Sequence, residues 1–462
     1  MTDECRTFPK ILRVGAGLTM IAALLAFLVR SAEAQVPASP PQRLSLAEAA
    51  HLAASQTAGV QSAQFRVQEA QARVTQSRSS LLPQVEATPN WTNHTINSAS
   101  FGFNFPSAPG EPPLLKPDGQ IIGPVGLYDI RGQVSQSLYD PAAMQRVKAL
   151  RATVDAANAD VATAAEQSAS NAAMLYVRAL RTDANLQART ADSALAAQLV
   201  GIAQDQLTAG VGVALDVTRA QSQLAGSRSQ LISARNDRAR SRLDLLRALN
   251  LPLDSPLELT DSLSTLPTND ATTEEAAVDQ AVRNRPDIRA ADAQLVASQQ
   301  QLTAIRATRL PTVGAFANDG ENGIRLNKLL NTYTYGVQVS WSLFEGGRRE
   351  GQVQEQEAMA RDIEVRRRDL RQQASVDVRG ALLDIASARE QVDAARDRQR
   401  LAEQEVSQAR DRFSAGVAGN ADVVTALSLL NTSRTGLIDA LTALQSARVS
   451  LARAEGTVSQ LR

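Results

Sequence analysis

The feature that most constrains this chain is an internal repeat. Residues 205–224 read DQLTAGVGVALDVTRAQSQL and residues 411–430 read DRFSAGVAGNADVVTALSLL, an offset of 206 residues (411 − 205). In each copy Asp-Val follows six residues after the glycine of an Ala-Gly-Val turn, from Gly210 to Asp216 and from Gly416 to Asp422. A chain with such a repeat is expected to build one supersecondary unit twice.

Two further pairs of segments show the same duplication. Residues 60–85 match 288–313 at an offset of 228 (288 − 60), and VSQSLYD (134–140) matches VSWSLFE (339–345) at 205 (339 − 134). The first half therefore carries about 22 extra residues (228 − 206), which fall in the proline-rich stretch 98–125. We predict a long loop there.

Each half is predicted to contain a helix, two strands, a long helix, a glycine turn and a last helix. The predicted helices span 46–81, 141–209, 214–250, 274–309, 346–412 and 420–456. Apolar residues recur at alternating three- and four-residue spacing, for example from Val147 to Ala179 and from Ile385 to Phe413. This pattern is typical of coiled coils, so these helices need neighbours to bury the apolar seam.

The N-terminus carries a predicted signal peptide. An apolar run of sixteen residues, Val14–Val29, follows basic residues and precedes Ala32-Glu33-Ala34, a small-x-small cleavage site. The alternative is a membrane-spanning helix, for which this run is slightly short. We expect cleavage after Ala34, which removes Cys5, the single cysteine. The expected organisation is a signal peptide at 1–34, a first repeat at 35–270 and a second repeat at 271–462.

Aromatic residues cluster between the predicted helices. Of the sixteen aromatics, eleven lie within 84–139 and 312–344, among them Trp91, Tyr139, Trp341 and Phe344. The stretch TYTYGVQVSWSLF (332–344) alternates apolar and polar residues, as a strand with two unlike faces does. Alternating strands flanked by aromatics are typical of outer-membrane barrels. The alternative is a soluble hairpin packed on the helices.

The number of strands has a consequence for assembly. Four predicted strands per chain cannot close a barrel, because the smallest bacterial barrels have about eight. An open sheet edge is not tolerated in lipid. If the strands enter the membrane, two, three or four copies of the chain must close the barrel together.

Composition and motifs exclude several other classes. Lys+Arg and Asp+Glu both number 48, so no excess of positive charge attracts nucleic acid. The two histidines, His51 and His94, lie in no metal-binding pattern, and no nucleophile-elbow, phosphate-loop or dinucleotide motif occurs. We therefore predict no enzyme activity, no cofactor and no metal site.

Several stretches in order make residues 44–456 resemble the TolC-like outer membrane efflux protein family. They are NRPDIRAADAQL (284–295), LFEGGRR (343–349), the two glycine turns and, more weakly, LYDPAAMQR (138–146). The resemblance implies a mainly α fold with a membrane β-barrel: a coiled-coil α-barrel plus 4 strands per subunit, and a trimer with a 12-stranded barrel. It also implies an outer-membrane location reaching into the periplasm, and docking to a periplasmic adaptor and an inner-membrane pump.

The resemblance further implies roles for the glycine turns and their surroundings. As hairpin tips they would contact the adaptor through Gly210, Val211, Asp216, Gly416 and Val417. The periplasmic entrance would be lined by Asp422, as an acidic ring, together with Thr425 and Phe413. Thr425 stands where relatives can carry a second Asp, and Phe413 has no hydroxyl to tie neighbouring tips. An ordinary helix-end role remains open for Asp216.

The implied function is an exit duct that passively conducts drugs and toxic small molecules handed over by an inner-membrane transporter. An outer-membrane channel for type I protein secretion has the same pattern and stays open. From another class, a periplasmic coiled-coil adaptor or structural protein is the second alternative. Adaptors usually have one helical hairpin inside lipoyl and β-barrel domains, whereas this sequence predicts two hairpins with aromatic strands between helices.

Overall fold

The computed structural model describes residues 42–101, 119–264 and 273–461. The predicted signal peptide, most of the proline-rich loop and the predicted boundary at 270–271 lie outside the described residues. Helices dominate the described chain, and a small antiparallel sheet projects from their ends.

Eight α-helices occur within the described residues. They are α1 (Leu46–Gln56), α2 (Ala58–Ser79), α3 (Pro141–Thr208), α4 (Ala214–Ala248), α5 (Glu274–Asn284), α6 (Pro286–Ala307), α7 (Arg348–Ser414) and α8 (Asn420–Glu455). The lengths repeat in order: α1 and α5 have 11 residues, α2 and α6 have 22, α3 and α7 have 68 and 67, and α4 and α8 have 35 and 36. Single helices over 46–81 and 274–309 were therefore wrong predictions, because each is broken once.

The two breaks occupy equivalent places, Thr57 and Arg285, which differ by the same 228 residues (285 − 57) as the first pair of segments. Thr57 has ψ 151° and Arg285 has ψ 120°, so neither residue is helical. At Arg285 the cause is local, because Pro286 disfavours a helical conformation in the residue before it. Thr57 has no such proline; its hydroxyl instead donates to Ser168 Oγ of α3 at 2.9 Å.

Six strands occur in the described residues: β1 (Gln42–Leu44), β2 (Gln84–Asn97), β3 (Ile121–Tyr139), β4 (Leu257–Leu259), β5 (Thr312–Gly323) and β6 (Leu330–Ser340). Strands β1 and β4 pair in parallel, and the other four form an antiparallel sheet in the order β2-β3-β5-β6. The predicted loop over 98–125 was too long, because β3 begins at Ile121. Pro124 fits there because the ladder shifts register opposite His94 and Ile96, and proline is tolerated at such bulges.

The second sheet hairpin also ends earlier than predicted. Strand β6 stops at Ser340, so Trp341 and Phe344 lie after the strand. Gly346 and Gly347 follow with φ values of 61° and 83° and lead directly into α7. Two consecutive residues in this region of backbone space require glycine, which is why LFEGGRR ends an extended segment.

The apolar seam predicted for the long helices is confirmed. In α7 every seam residue from Ile385 to Phe413 is buried or half-buried. In α3 the seam residues from Val147 to Ala179 are likewise buried or half-buried. Helix α3 packs against α2 and α6 and, further along, against α4 and α8. Among the described helices, none combines the length and apolar character needed to cross a bilayer.

The largest apolar core surrounds Tyr176 of α3 at mid-length of the helices. Its ring is fully buried, and its hydroxyl lies 2.9 Å from the Leu44 carbonyl oxygen and 3.0 Å from the Asp261 carboxylate. Burial and this carboxylate raise the pKa of Tyr176, which keeps the hydroxyl protonated. The contact fixes β1 and the chain after β4 to the long helix.

A buried carboxylate fastens the segment after α8 to the same core. Glu166 of α3 is buried and accepts hydrogen bonds from the backbone N–H groups of Val458 (2.7 Å) and Ser459 (3.1 Å). These amides begin a short 3-10 helix, Val458–Gln460, whose free N–H groups attract negative charge. Val458 itself is fully buried in the core around Tyr176.

Candidate functional site: two helical tips and a two-faced sheet

The first tip, residues 209–213, joins α3 to α4. Gly210 has φ 75°, and its N–H donates to the Leu207 carbonyl at 3.1 Å. The N–H of Val211 donates to the Gln206 carbonyl, also at 3.1 Å. This pair of bonds is a Schellman motif, which ends a helix by satisfying its last free carbonyls.

The second tip, residues 415–419, joins α7 to α8 in the same way. Gly416 has φ 71° and donates to the Phe413 carbonyl at 3.0 Å. Val417 donates to the Arg412 carbonyl at 3.0 Å. The repeated Ala-Gly-Val of the sequence therefore forms the same helix end twice.

Positive φ, and not crowding, explains the glycine in each tip. A Cβ atom placed on Gly210 or Gly416 would meet no atom within 4 Å. Each glycine is followed by a valine that points into solvent, since Val211 is 79% and Val417 is 70% exposed. Each tip therefore presents an exposed valine to a potential partner, and the first tip adds Val213, which is 58% exposed.

The acidic residues after the two tips differ in their surroundings. The Asp216 side chain is only 17% exposed and lies 3.8 Å from the guanidinium of Arg219. Asp422 is exposed. The residue equivalent to Arg219 is Thr425 (219 + 206), whose hydroxyl donates to the Ala421 carbonyl at 2.9 Å. Within the described residues Asp422 has no ion-pair partner.

Neither Asp216 nor Asp422 caps its helix through the side chain. The residues at the cap positions are Val213 and Gly419, and neither helix start has a side-chain cap bond. Both carboxylates lie in the first turn, where the helix dipole stabilises negative charge.

The structure places Phe413 away from the surface. Its ring is 3% exposed and packs with Val406, Val423 and Leu427. This cluster lies between two helical hairpins, the first formed by α3 and α4 and the second by α7 and α8. The backbone oxygen of Phe413 also accepts a hydrogen bond of 2.8 Å from Gln206 Nε2 in the last turn of α3. Of the three residues assigned to the entrance, Asp422 and Thr425 are exposed and one helical turn apart, and Phe413 is in the core.

A second bond joins the tips in the opposite direction. Asn420, the first residue of α8, is fully buried and its Nδ2 donates to the Asp216 carbonyl oxygen at 2.7 Å. Sequence reasoning missed both Gln206 and Asn420. No periodic or compositional signal marks a side chain that bonds to the backbone of a segment about 200 residues away.

The four-stranded sheet has two chemically different faces. Register pairs Val85, Val134, Ala317 and Tyr335 in one row across all four strands. The neighbouring row, on the opposite face, is Glu86, Gln133, Asn318 and Thr334. Close to the helices one face is therefore mainly apolar and solvent-exposed in the single chain, and the other is polar; further along β5, Asp319 and Glu321 lie on the first face. The outer edges of β2 and β6 pair with no other strand within the described residues.

The aromatic residues assigned to a membrane interface lie at two levels of this sheet. Tyr139, Trp341 and Phe344 are exposed near the ends of the helices, and the Trp341 indole N–H donates to the Arg309 carbonyl at 3.0 Å. Trp91 lies further along the sheet, with its ring 6.4 Å from that of Tyr128. Exposed aromatic residues therefore occur at both levels and, at Tyr333 and Tyr335 of β6, between them.

No metal site is formed in the part of the chain that the structure describes, since no group of His, Cys, Asp and Glu is placed to hold an ion. The geometry instead defines a class of architecture. It consists of paired helices about 100 Å long that end in two exposed tips and carry a two-faced sheet at the other end.

Comparisons with known proteins identify that class. The model of the outer membrane efflux protein family matches residues 49–251 and 277–457. The chain therefore belongs to the outer membrane efflux protein family, whose members are channels and not enzymes. Among curated protein sequences, none matches the chain.

Solved structures share the fold at low sequence identity. The CmeC outer membrane channel of Campylobacter jejuni is 16% identical with a TM-score of 0.71, over 89% of this chain and 85% of that one. The open state of the MtrE outer membrane channel of Neisseria gonorrhoeae is 17% identical with a TM-score of 0.70, over 89% and 88%. The outer membrane protein VceC of Vibrio cholerae is 18% identical with a TM-score of 0.69, over 89% and 96%.

Proposed function

We propose that this chain is the outer-membrane exit duct of a tripartite efflux pump. Three copies close a twelve-stranded barrel, four strands from each, and their helices continue the duct through the periplasm. Drugs and other toxic small molecules pass through passively after an inner-membrane transporter and a periplasmic adaptor hand them over. No cofactor takes part.

The observation that carries this proposal is the four-stranded sheet. Close to the helices its exposed, mainly apolar face suits lipid and its polar face suits a water-filled lumen. Its two open edges require partners, because lipid leaves backbone groups unsatisfied. A periplasmic adaptor needs no such sheet, so this feature favours a channel over that alternative class.

Further support comes from the repeated order of elements. Two tips per copy give six similar tips in a trimer, so an adaptor could meet the duct with nearly sixfold geometry. We propose Gly210, Val211, Asp216, Gly416 and Val417 as adaptor contacts, and Asp422 with Thr425 as part of the entrance. We also propose repeats at 35–270 and 271–462 after a cleaved signal peptide; the division into two repeats is supported by the family model matching in two segments.

Mass measurement and electrical recording test this proposal together. The protein purified from outer membranes in detergent should have the mass of three chains, each beginning at Gln35. In planar bilayers it should conduct ions without an energy source. A monomer with the same helix content, or a trimer that never conducts, contradicts the proposal.

A cellular assay separates small-molecule efflux from the alternative of protein secretion. Deleting the gene should raise the accumulation of fluorescent drugs in cells and leave the set of secreted proteins unchanged. The reverse result favours a type I secretion channel of the same fold.

A further inference from the structure

We propose that the polar face of the four-stranded sheet carries a binding site for planar aromatic cations, at the place where the sheet meets the helices. Phe316 of β5 is the residue against which the aromatic ring of such a molecule packs. The role of this site in transport rests on the proposed channel function, in which the polar face lines the duct.

The site is a cavity of about 580 Å³. Its walls come from the chain between the end of α2 and the start of β2, the last part of β3, the start of β5 and the end of β6. The volume lies within the range of about 300–1,000 Å³ that is usual for small-molecule sites. All of the walls belong to one chain, so the cavity does not depend on contacts between copies.

Phe316 is the exception among the residues of the polar face near the helices. It is half-buried and belongs to none of the apolar clusters formed within the described residues. The rows on either side of it on this face contain only polar residues and glycine: Glu86, Gln133, Asn318 and Thr334 on one side, and Ser137, Gly314 and Gln338 on the other. Packing in a core therefore does not explain a phenyl ring at this position.

Gly336 of β6 makes room for the ring. The register places Gly336 directly beside Phe316. A Cβ atom on Gly336 would lie 3.1 Å from Cζ and 3.3 Å from Cε1 of the ring, which is closer than ordinary contact. An aromatic ring that covers a glycine of an edge strand helps to fix that strand. The same ring also lines the cavity, so this structural role leaves part of it available to a ligand.

Three glutamine side chains around the ring are available for hydrogen bonds. Gln84, Gln133 and Gln338 line the cavity, and none of them bonds to protein within the described residues. Gln136 differs, because its Nε2 donates to the Leu81 carbonyl oxygen at 2.8 Å. An apolar surface with a few polar groups around it is the usual composition of a small-molecule site.

The charges near the cavity favour cations over anions. Among the described residues of the lining, Asp140 is acidic and none is basic. One oxygen of Asp140 accepts from the Ala143 N–H at 2.8 Å, which leaves the other oxygen for water or a ligand. Arg131 lies two rows further along the same face, where Asp129 pairs with it at 3.3 Å. The face of the Phe316 ring also attracts cations.

The expected affinity is low, which suits a duct. One contact between aromatic rings changes affinity by roughly two- to tenfold. Conduction requires sites that a molecule enters readily and also leaves. Phe316 would therefore slow aromatic cations during passage without trapping them.

Ligand-detected NMR on the full-length protein in detergent tests the site. Phenyltrimethylammonium and cyclohexyltrimethylammonium have the same charge and nearly the same size, and only the first has an aromatic ring. Benzenesulfonate is the aromatic anion for comparison. The unchanged protein should bind the phenyl cation roughly two- to tenfold more tightly than the cyclohexyl cation, and more tightly than the anion.

Three variants show whether this preference comes from Phe316. Phe316→Leu keeps an apolar cover on Gly336 but removes the ring, and should abolish the preference for phenyl over cyclohexyl. Phe316→Tyr keeps a ring and should retain the preference. Tyr335→Leu removes an exposed aromatic ring from the opposite face, beside Gly336, and should also retain it.

A fourth variant tests the charge separately from the ring. Asp140→Asn still provides a helix cap and should reduce the preference for the phenyl cation over benzenesulfonate. This arm keeps the inference testable if Phe316→Leu does not fold. An Asp140→Asn protein with unchanged discrimination contradicts the proposed preference for cations.

The remaining outcomes separate the site from the channel function. An unchanged protein without a preference for phenyl, or a preference that survives Phe316→Leu, contradicts the site. Binding is measured without ion flow, so a protein that binds through Phe316 and never conducts contradicts the channel function alone. In a conducting protein the phenyl cation should reduce the single-channel current more than the cyclohexyl cation does, and equal reductions contradict a role of Phe316 in passage.

Discussion

At the residue scale, one position gives the two acidic residues Asp216 and Asp422 different surroundings. After the first tip, Arg219 lies next to Asp216 at the start of α4, whereas after the second tip Thr425 takes the equivalent place beside Asp422 at the start of α8. The backbone of the two tips is the same, so shape alone does not distinguish them. Charge does, because one carboxylate is paired and largely buried and the other is exposed.

We predict that Asp422→Asn weakens the cation preference of the channel. Three fixed carboxylates at a constriction attract cations, and low-dielectric walls strengthen their field. The measurement is the reversal potential across a planar bilayer in a salt gradient. The effect should shrink at high salt, since the Debye length falls from about 10 Å at 0.1 M to about 3 Å at 1 M.

The matched controls for this prediction use the first tip. Asp216→Asn should change selectivity less, because Arg219 already offsets that charge. Arg219→Thr copies the second tip and should increase cation preference if Asp216 also faces the pore. Unchanged selectivity at low salt in Asp422→Asn would leave that residue a surface group at a helix start.

The tip glycines give a second prediction at this scale. Gly416→Ala should weaken the second tip by about 1–2 kcal/mol, because a Cβ atom is strained at positive φ. Since no atom lies within 4 Å of that Cβ, the whole cost comes from the backbone. Hydrogen exchange of the Val417 amide, which donates to Arg412, measures the local opening.

Gly436→Ala is the control for the glycine prediction. Gly436 lies inside α8, has ordinary helical geometry and likewise has no atom within 4 Å of a Cβ. Alanine should stabilise that helix by about 0.5–1 kcal/mol. Equal effects of the two substitutions would show that positive φ at Gly416 carries no cost.

At the scale of elements, helix ends depend on groups whose charge changes with pH. Burial raises the pKa of Glu455, the last residue of α8. Hydrogen bonds from Ser45 lower the pKa of Glu48 in the first turn of α1, where the Ser45 N–H donates to the carboxylate at 2.7 Å. The two carboxyl groups therefore affect stability in opposite directions as pH rises.

We predict that Glu455→Gln stabilises the protein at neutral pH and has little effect at pH 4. A raised pKa in the folded state means that stability is lost as pH rises through that value, and glutamine avoids this loss. Glu48→Gln should instead destabilise the protein at neutral pH. A carboxyl group whose pKa is lowered in the folded state contributes stability above its unfolded pKa, and glutamine lacks that charge. Thermal unfolding of both variants across pH checks the two signs.

Most element boundaries followed from sequence, but the breaks at Thr57 and Arg285 did not. A one-residue break leaves the apolar period almost unchanged, so periodicity cannot find it. Pro286 was the available signal, since the residue before proline avoids helical geometry. Carrying that signal back by the offset of 228 would have located Thr57 as well.

The candidate site was predictable only where it depends on the backbone. A backbone position with positive φ is recognisable in the sequence because it requires glycine. A strand with two unlike faces is recognisable from its alternating apolar and polar residues. The bonds of Gln206 and Asn420 leave none, because they join segments about 200 residues apart. The burial of Phe413 follows from the same seam that predicted its helix, which argued for packing from the start.

At the scale of the whole molecule, the two faces of the sheet should tolerate charge differently. We predict that Val337→Lys, on the exposed apolar face, destabilises the membrane-inserted barrel by about 2–4 kcal/mol per copy. Gln338→Lys, one residue along β6 on the polar face, should insert normally and lower the conductance for cations. Both faces follow from the register of β5 and β6.

Folding into lipid vesicles, followed by heat-resistant migration of the trimer on gels, measures the first effect, and bilayer recording measures the second. If Gln338→Lys blocks insertion and Val337→Lys does not, the sheet faces lipid with its other side. If both variants insert and conduct like the unchanged protein, the sheet does not line a pore.

The bond between Glu166 and the amides of Val458 and Ser459 has a consequence for how the chain is made. The carboxylate belongs to the first long helix, and its partners appear 292 residues later. A polypeptide that crosses the inner membrane from its N-terminus delivers Glu166 long before those amides arrive. Until then the Glu166 carboxylate is hydrated, and the core around Tyr176 stays incomplete because Val458 has not yet joined it.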